Sequence, residues 1–373
     1  MRNLAAISLP FWGPCTDSPS AQTPRAAGLS RLLEAEVTRF RLRSADDSAP
    51  AGIVELESLR ERKPLGVGIY VKHLTTGEEA MVRPDEPFET QSVIKVAIMI
   101  RAYQLADAKQ LNLDERVVVT KDDMIFGTGV LQYYQEGFAL TIRDLITEMI
   151  ITSDNTATDL VLARIDGPAA LNKWLLDSGY VETRLATSLF ESFRLPYELA
   201  DPRHRALSVK QVYALRTDNP SWAGMTREWA DSIGKQVTAL ESRPLADVRA
   251  MAKERGFPLY FGRMTPREAG RMMEGIERAT LASAVSSSEM KQALLRQQLG
   301  KLMLPHFVEC PVAHKTGENP PWDANAVGVI YARSGPIVVA AFVNDLGGNY
   351  NEETDRIGHI ARVVVQYFDG VRG

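Results

Sequence analysis

Residues 326–343 of the chain read AVGVIYARSGPIVVAAFV. Two apolar, β-branched runs, 326–332 and 337–343, flank a Ser-Gly-Pro turn, and this pattern predicts a β-hairpin. A similar run at 66–71 lies near the other end of the chain, where a Thr-Thr-Gly-Glu turn and a short return strand at 80–82 follow it. We therefore expect one sheet that is built from both chain ends.

The middle of the chain has a different pattern. From residue 92 to about residue 304, apolar residues recur at helical spacing, and further amphipathic helices are predicted over 32–40 and 352–368. The simplest assembly is an α+β fold with two lobes. An α/β lobe (25–91 and 310–373) would hold an antiparallel sheet flanked by helices, and an all-α lobe (92–309) would be inserted in it. A cleft between the lobes is then the natural place for a site.

Composition excludes several classes of protein. The 373 residues include 43 Lys plus Arg and 47 Asp plus Glu, for a net charge of −4, and 45% are hydrophobic. These values exclude a disordered chain and a basic nucleic-acid module, so we expect no nucleic-acid partner. Two cysteines, Cys15 and Cys310, do not make a disulfide framework. The five histidines lack the spacing of metal ligands, so no metal or cofactor is expected.

The first 24 residues have the pattern of a targeting segment. A basic start, a mostly apolar run at 4–13 and a polar stretch of small residues are typical of a secretory signal peptide. This interpretation predicts a periplasmic or secreted protein. The alternative is a disordered terminus, because the apolar run is short and contains Pro10. No apolar run reaches 18 residues, so no membrane span is predicted, and we expect a monomer.

The first motif that could carry chemistry is Ser92-Val93-Ile94-Lys95, at the start of a strongly apolar helix. Backbone N–H groups and the positive end of the helix dipole lie beside a serine at this position. Lys95 follows almost one turn later, on the same face, and a buried amine loses its proton easily and can act as a base. The alternative is an N-capping serine followed by a lysine that reaches solvent.

The second motif, Ser153-Asp154-Asn155, separates the apolar helices predicted over 142–151 and 156–165. In a functional interpretation, Ser153 relays a proton to a leaving group and Asn155 holds a substrate amide oxygen. The alternative is a turn between two helices with an Asx cap.

The third motif is Lys315-Thr316-Gly317. Lys315 could supply positive charge for a substrate carboxylate and Thr316 a hydroxyl group, while Gly317 would let the ligand approach the backbone. The alternative is an edge strand with an exposed lysine.

In this order, the three motifs resemble the S-x-x-K, S-D-N and K-T-G set of penicillin-binding proteins and class A β-lactamases. The resemblance covers about residues 28–370 and implies a single catalytic domain (25–373) with the β-lactamase/transpeptidase-like fold. It implies that Ser92 attacks a strained amide carbonyl to form an acyl-enzyme while Lys95 accepts the proton. The backbone N–H groups of Ser92 and Glu318 would form the oxyanion hole.

The resemblance also implies a small-molecule substrate, which is a β-lactam or an acyl-peptide, and no cofactor. Ser153 and Lys315 would carry a proton to the leaving nitrogen. A β-lactam hydrolase is the leading interpretation. The alternatives are a penicillin-binding D,D-peptidase or esterase, and a sensor that is acylated by a β-lactam without turnover.

Two departures from the family pattern affect these expectations. Class A enzymes hydrolyse the acyl-enzyme with a glutamate in an E-x-x-L-N pattern, which this sequence lacks. We prefer Glu191 for this role and keep Glu198 as the second candidate; the alternative is that both are ordinary surface carboxylates. The chain is also longer than class A chains, within residues 201–263. The near-helical spacing of Trp222, Trp229, Ile233 and Val237 predicts an extra packed helix pair, or else a cover over the cleft.

Overall fold

The computed structural model describes residues 24–42, 66–258 and 260–370. Apart from Pro24, the predicted targeting segment over 1–24 lies outside these ranges, and so does Cys15.

Within the described ranges, the strands of the main sheet lie near the two ends of the chain. Helices fill most of the middle, but four short strands also lie there, so the predicted all-α lobe is not entirely helical. The strands are β1 Val67–His73, β2 Glu79–Val82, β3 Phe88–Glu89, β4 Arg116–Val118, β5 Ala139–Thr141, β6 Arg184–Leu185, β7 Gly262–Met264, β8 Val312–Asn319, β9 Asp323–Ala332 and β10 Gly335–Val343. The helices are α1 Pro24–Val37, α2 Lys95–Asp107, α3 Ile142–Ile151, α4 Asn155–Arg164, α5 Gly167–Asp177, α6 Leu189–Ala200, α7 Val209–Arg216, α8 Arg227–Glu241, α9 Leu245–Glu254, α10 Pro266–Glu277, α11 Ala284–Leu295 and α12 Tyr350–Asp369.

The main sheet has five antiparallel strands in the order β2-β1-β10-β9-β8. The predicted hairpin is β9–β10, with Ala332 opposite Gly335 at the turn. At the centre of the sheet β1 pairs with β10, where Tyr70 lies opposite Ala340. The expected α+β fold, with an antiparallel sheet that is made from both chain ends, is confirmed.

Each face of the sheet packs against helices, because successive strand residues point to opposite sides. In β10, Ile337, Val339 and Ala341 belong to the core that includes Leu29 and Leu33 of α1 and Ile357, Ile360 and Val364 of α12. The residues between them, Val338, Ala340 and Phe342, belong to the larger core, which contains most of α2 and the apolar face of α10. All of these residues are fully buried, and each of the larger side chains (Val, Leu, Ile and Phe) stabilises the fold by about 1.5–3 kcal/mol.

A buried polar network fixes the segment that leads to the first motif. The backbone N–H of Glu89 donates to Asn344 Oδ1 at 2.8 Å, and Asn325 Nδ2 donates to the Glu89 carbonyl at 3.0 Å. The Glu89 carboxylate accepts the N–H groups of Phe261 and Gly262 at 3.0 and 3.1 Å. Buried groups that are satisfied in this way hold the chain ahead of α2 in one conformation.

The extra segment, residues 201–263, forms three helices, α7, α8 and α9, rather than the predicted pair. It has a small core of its own that comprises Leu207, Val212, Met225, Ala230 and Ile233. The predicted helical stripe is only partly right. Trp229 is 41% exposed, and Trp222 lies in a 3₁₀ turn, where its ring is 5.0 Å from that of Tyr213. The reason is that Gly224 ends this turn in a left-handed conformation, so Trp222 and Trp229 do not share a helix.

No helix among the described residues is long and apolar enough to cross a membrane. In the same part of the chain, the His, Cys, Asp and Glu side chains form no group of three or more that could hold a metal ion.

Candidate active site

Ser92 lies in a 3₁₀ turn, Gln91–Ile94, that leads directly into α2. The backbone N–H of Lys95 donates to the Ser92 carbonyl, and side chains three residues apart superimpose in a 3₁₀ helix. The side chains of Ser92 and Lys95 therefore emerge on one side, as predicted. The N-cap of the turn is Thr90 and that of α2 is Ile94, so the alternative of an N-capping serine is wrong.

Lys95 is completely buried and its amine is surrounded by oxygen acceptors. Nζ donates to the Ser153 carbonyl at 2.6 Å and to Asn155 Oδ1 at 3.0 Å, and it lies 3.2 Å from Ser153 Oγ. Burial lowers the pKa of Lys95 to about 7, although the charges of Asp154 and Asp159 act in the opposite direction. A substantial fraction of this amine is therefore neutral near pH 7.

The second motif forms the corner between α3 and α4. Asp154 is the N-cap of α4, and its carboxylate accepts the N–H groups of Ala157 at 2.9 Å and Leu131 at 2.8 Å. For Asp154, the predicted alternative of an Asx cap is thus correct. Ser153 has a left-handed backbone with φ of 56°, a costly conformation for a residue other than glycine, and such strain often marks a functional position.

Lys315 lies on the edge strand β8 but is completely buried, so the alternative of an exposed lysine is wrong. Its Nζ donates to Ser153 Oγ at 3.0 Å and to the Thr316 carbonyl at 2.7 Å. Burial lowers the pKa of Lys315 well below its usual range, and the nearby charge of Lys95 lowers it further.

Gly317 lets β8 approach the turn that carries Ser92. A Cβ atom at this position would lie 2.2 Å from the Thr90 carbonyl oxygen and 2.9 Å from the Ser92 backbone nitrogen. Any side chain would push the strand away from the turn. The close approach brings Gly317 of β8 against the backbone of the turn that carries Ser92.

A cavity of about 260 Å³ joins the three motifs. Among the residues that line it are Ser92, Ser153, Asn155, Thr316 and Glu318. Lys95 and Lys315 contact the Ser153 hydroxyl, which lines this cavity. The structure thus brings together the residues of the three motifs and Glu318, but neither of the two glutamate candidates for water activation.

The first of these candidates, Glu191, is exposed and acts as a helix cap. Its carboxylate accepts the Ser188 N–H at 2.9 Å in a capping box at the start of α6. The face of α6 toward the Ser92 cavity presents Leu189, Ser192, Phe193 and Pro196, whereas Glu191 lines two other cavities. The structure therefore does not bring Glu191 to the Ser92 cavity. The sequence does contain a signal that Glu191 caps a helix, because the S-x-x-E pattern at 188–191 is typical of a capping box.

Glu198, the second candidate, also lies outside the Ser92 cavity. Its carboxylate pairs with Arg194 at 3.5 Å and with Arg205 at 3.8 Å. Leu189 and Pro196 lie seven residues apart on one face of α6, and Glu191 and Glu198 lie seven residues apart on a different face.

Sequence reasoning missed Asp159, which ties α4 to α6. Its two carboxylate oxygens accept the N–H groups of Leu189 and Phe190, each at 2.9 Å. Burial raises the pKa of Asp159 to about 6, and the two N–H donors oppose the rise. Asp159 follows Asn155 by four residues, so the two side chains lie on the same face of α4. This spacing was the one signal in the sequence that could have pointed to Asp159.

Three comparisons with known proteins agree with this geometry. The model of the family described as the "Beta-lactamase enzyme family" matches residues 54–368. The chain is 28% identical to the extended-spectrum β-lactamase PER-1 of Pseudomonas aeruginosa over 137 residues. The match covers 36% of this chain and 44% of that protein. It is 24% identical to the β-lactamase L2 of Stenotrophomonas maltophilia, over 85% of this chain and 86% of that protein.

A solved structure shows the same fold. The ancestral class A β-lactamase of Gram-negative bacteria superposes with a TM-score of 0.62 at 19% identity, over 91% of this chain and 99% of that one. The sequence match over residues 54–368, together with the shared fold and the three converging motifs, leads to one conclusion. The chain belongs to the β-lactamase enzyme family.

Proposed function

We propose that the protein is a serine hydrolase that opens β-lactams by acyl transfer to Ser92. One observation carries the proposal: the buried amines of Lys95 and Lys315 both contact the hydroxyl of Ser153 in the cavity that Ser92 lines. Such a chain of proton carriers beside a serine at a helix start is what acyl transfer to an amide needs.

In the acylation step, Ser92 Oγ attacks the carbonyl carbon and its proton passes to the neutral amine of Lys95. The tetrahedral oxyanion accepts hydrogen bonds from the backbone N–H groups of Ser92 and Glu318. The carbonyl–nitrogen bond then breaks, and the nitrogen takes the proton of the Ser153 hydroxyl. Ser153 regains a proton from the amines that it contacts. In a β-lactam the released nitrogen stays attached through the opened ring.

Substrate binding follows from the charges of the same cavity. Lys315 and the Thr316 hydroxyl would hold the carboxylate that lies beside the leaving nitrogen. Asn155 would hold the amide oxygen of the acyl side chain. Its Nδ2 donates to the Phe126 carbonyl at 3.0 Å, and its Oδ1 accepts from Lys95, so both ends of the side-chain amide are fixed.

A second candidate function is a penicillin-binding peptidase or esterase whose acyl-enzyme is long-lived. The observation that favours it is the lining of the cavity by α6, which presents Leu189, Ser192, Phe193 and Pro196. Among the described lining residues Glu318 is the only carboxylate, and it belongs to β8, not to α6. A water beside the acyl-enzyme would thus lack the glutamate that class A enzymes place on a loop.

Intact-mass spectrometry over time after addition of benzylpenicillin tests both functions. A hydrolase gives a transient adduct of one whole penicillin molecule and accumulates the hydrolysed product. A peptidase or esterase gives the same adduct, which persists. Ser92→Ala should give no adduct, whereas Ser192→Ala, which removes another hydroxyl from the same cavity, should give it. The wild-type protein would overturn the proposal if it gave neither an adduct nor hydrolysed penicillin.

A further inference from the structure

The extra segment contributes one cation to the wall of the catalytic cavity. Arg216, the last residue of α7, lines the cavity together with Ser92. The central carbon of its guanidinium group is 4.9 Å from the centre of the Phe126 ring and 5.0 Å from that of Phe193. The two rings hold the guanidinium by cation–π attraction, and each of them also lines the cavity.

Arg216 lies close to Asn155 through Phe126. The ring of Phe126 contacts Arg216, and its backbone carbonyl accepts the hydrogen bond from Asn155 Nδ2. Gly127, the next residue, is so close that a Cβ atom there would lie 2.6 Å from Asn155 Nδ2. A substrate group just beyond the amide that Asn155 holds would therefore meet Phe126, Phe193 and Arg216.

Two basic side chains of the site, Lys315 and Arg216, thus have different neighbours. Lys315 contacts Ser153 and belongs to the sheet, whereas Arg216 belongs to the extra segment and packs against aromatic rings. Guanidinium suits a carboxylate because its planar fork carries five N–H donors. Arg216 also has a partner besides the two rings, and it lines the cavity as well.

We propose that Arg216 is a specificity residue that binds a carboxylate carried by the acyl side chain of the substrate, next to the amide. The preferred acyl donors are then dianionic, with one carboxylate for Lys315 and a second for Arg216. This inference rests on the proposed function, since it uses Ser92 as the nucleophile and Asn155 as the holder of the amide.

Two penicillins that differ by one group provide the test. Carbenicillin is benzylpenicillin with an added carboxylate on the carbon beside the side-chain amide. The measured quantity is the second-order rate constant of acylation, obtained by rapid quench and intact-mass spectrometry. Arg216→Gln should lower this constant for carbenicillin by about 10-fold or more, the effect of losing a charge-assisted hydrogen bond. For benzylpenicillin the change should stay within about 2-fold.

Two variants serve as controls. Arg216→Lys keeps the charge and should retain most of the preference for carbenicillin. Lys210→Gln removes a cation from the same helix, where Lys210 Nζ lies over the Trp222 ring at 5.9 Å and outside the cavity lining. This variant should leave both rate constants unchanged. Added salt should slow the wild-type reaction with carbenicillin more than that with benzylpenicillin, and this measurement needs no substitution.

The outcomes separate this inference from the proposed function. Equal losses for both penicillins in Arg216→Gln, or equal salt effects on the wild-type protein, would overturn the role of Arg216 while acylation of Ser92 stands. If neither penicillin gave an adduct or a hydrolysed product, the proposed function would be overturned and this inference with it.

Discussion

The side-chain nitrogens of Lys95 and Lys315 lie within hydrogen-bond distance of one oxygen atom, Ser153 Oγ, at 3.2 and 3.0 Å. Burial lowers the pKa of both amines, and the charge of Lys95 lowers that of Lys315 further. Burial disfavours the charged form of an amine, so two charged amines around one hydroxyl would be costly. In the proposed mechanism the hydroxyl donates to a neutral amine and accepts from a charged one, which would give a proton a path through Ser153.

The pH dependence of acylation should follow Lys95. In the proposed mechanism the proton acceptor is the neutral amine. Because the pKa of Lys95 is lowered to about 7, the rate of adduct formation should then rise as the pH increases through about 7. The measurement is the rate of labelling at limiting benzylpenicillin, from about pH 5.5 to 8.5. A rate that stays constant over this range would contradict the role of Lys95 as the base.

Ser153→Ala should slow acylation by about 10²–10⁴-fold, because in the proposed mechanism it removes the group that passes a proton to the leaving nitrogen. The matched control is Ser192→Ala. The Ser192 hydroxyl also lines the cavity but donates to the Leu189 carbonyl at 2.7 Å and has no part in the proton path. Both variants should keep the circular dichroism spectrum of the wild-type protein. Equal rates in the two variants would remove Ser153 from the mechanism.

Gly317→Ala should abolish most acylation, because the added methyl group would collide with the Thr90 carbonyl and the Ser92 nitrogen. We expect a loss of about 1–3 kcal/mol in the free energy of unfolding as the strand shifts. Gly234→Ala is the control, since Gly234 lies within α8 and a methyl group there meets nothing within 4 Å. Urea unfolding and penicillin labelling measure the two effects. A Gly317→Ala variant with wild-type labelling would show that β8 can move away at no cost.

Glu191→Gln should leave the lifetime of the acyl-enzyme unchanged. Glutamine also fits the third position of a capping box, so the stability of α6 should change by less than about 0.5 kcal/mol. Intact-mass spectrometry gives the adduct lifetime in both proteins. An adduct that accumulates only in the variant would restore Glu191 as the residue that activates water.

Asp159→Ala should destabilise the protein by about 2–4 kcal/mol, because the N–H groups of Leu189 and Phe190 lose their charged acceptor. These donors start the helix that forms one wall of the cavity, so we also expect a higher KM for a chromogenic cephalosporin. Urea unfolding and steady-state kinetics measure the two effects. Unchanged stability would mean that water replaces the carboxylate in full.

Much of the fold was predictable because its signals are local. The hairpin β9–β10 and helix α3 follow from period-2 and period-3.6 patterns, and α3 has the predicted bounds Ile142–Ile151. The order of the three motifs along the chain predicted that Ser92, Ser153 and Lys315 share one site. The shared contact of Lys95 and Lys315 with one hydroxyl was beyond prediction, because it depends on packing between segments that are far apart in sequence.

Other features of the site could not be predicted from the sequence. Glu191 was chosen by its distance from Thr183-Arg184-Leu185, but the structure places it in a local capping box with Ser188. Arg216 carries no motif at all, and only the fold brings it to the Phe126 and Phe193 rings. Burial, which sets the pKa of Asp159, is likewise a property of the assembled protein.

The pairing of β1 with β10 at the centre of the sheet has a consequence during synthesis. The ribosome synthesises β1 long before residues 335–343, so β1 cannot pair with β10 until translation is nearly finished. Lys315 also sits on a strand that β9 joins to this late pair. A nascent chain truncated before β10 should therefore be inert toward a fluorescent penicillin, and labelling should report completed molecules alone.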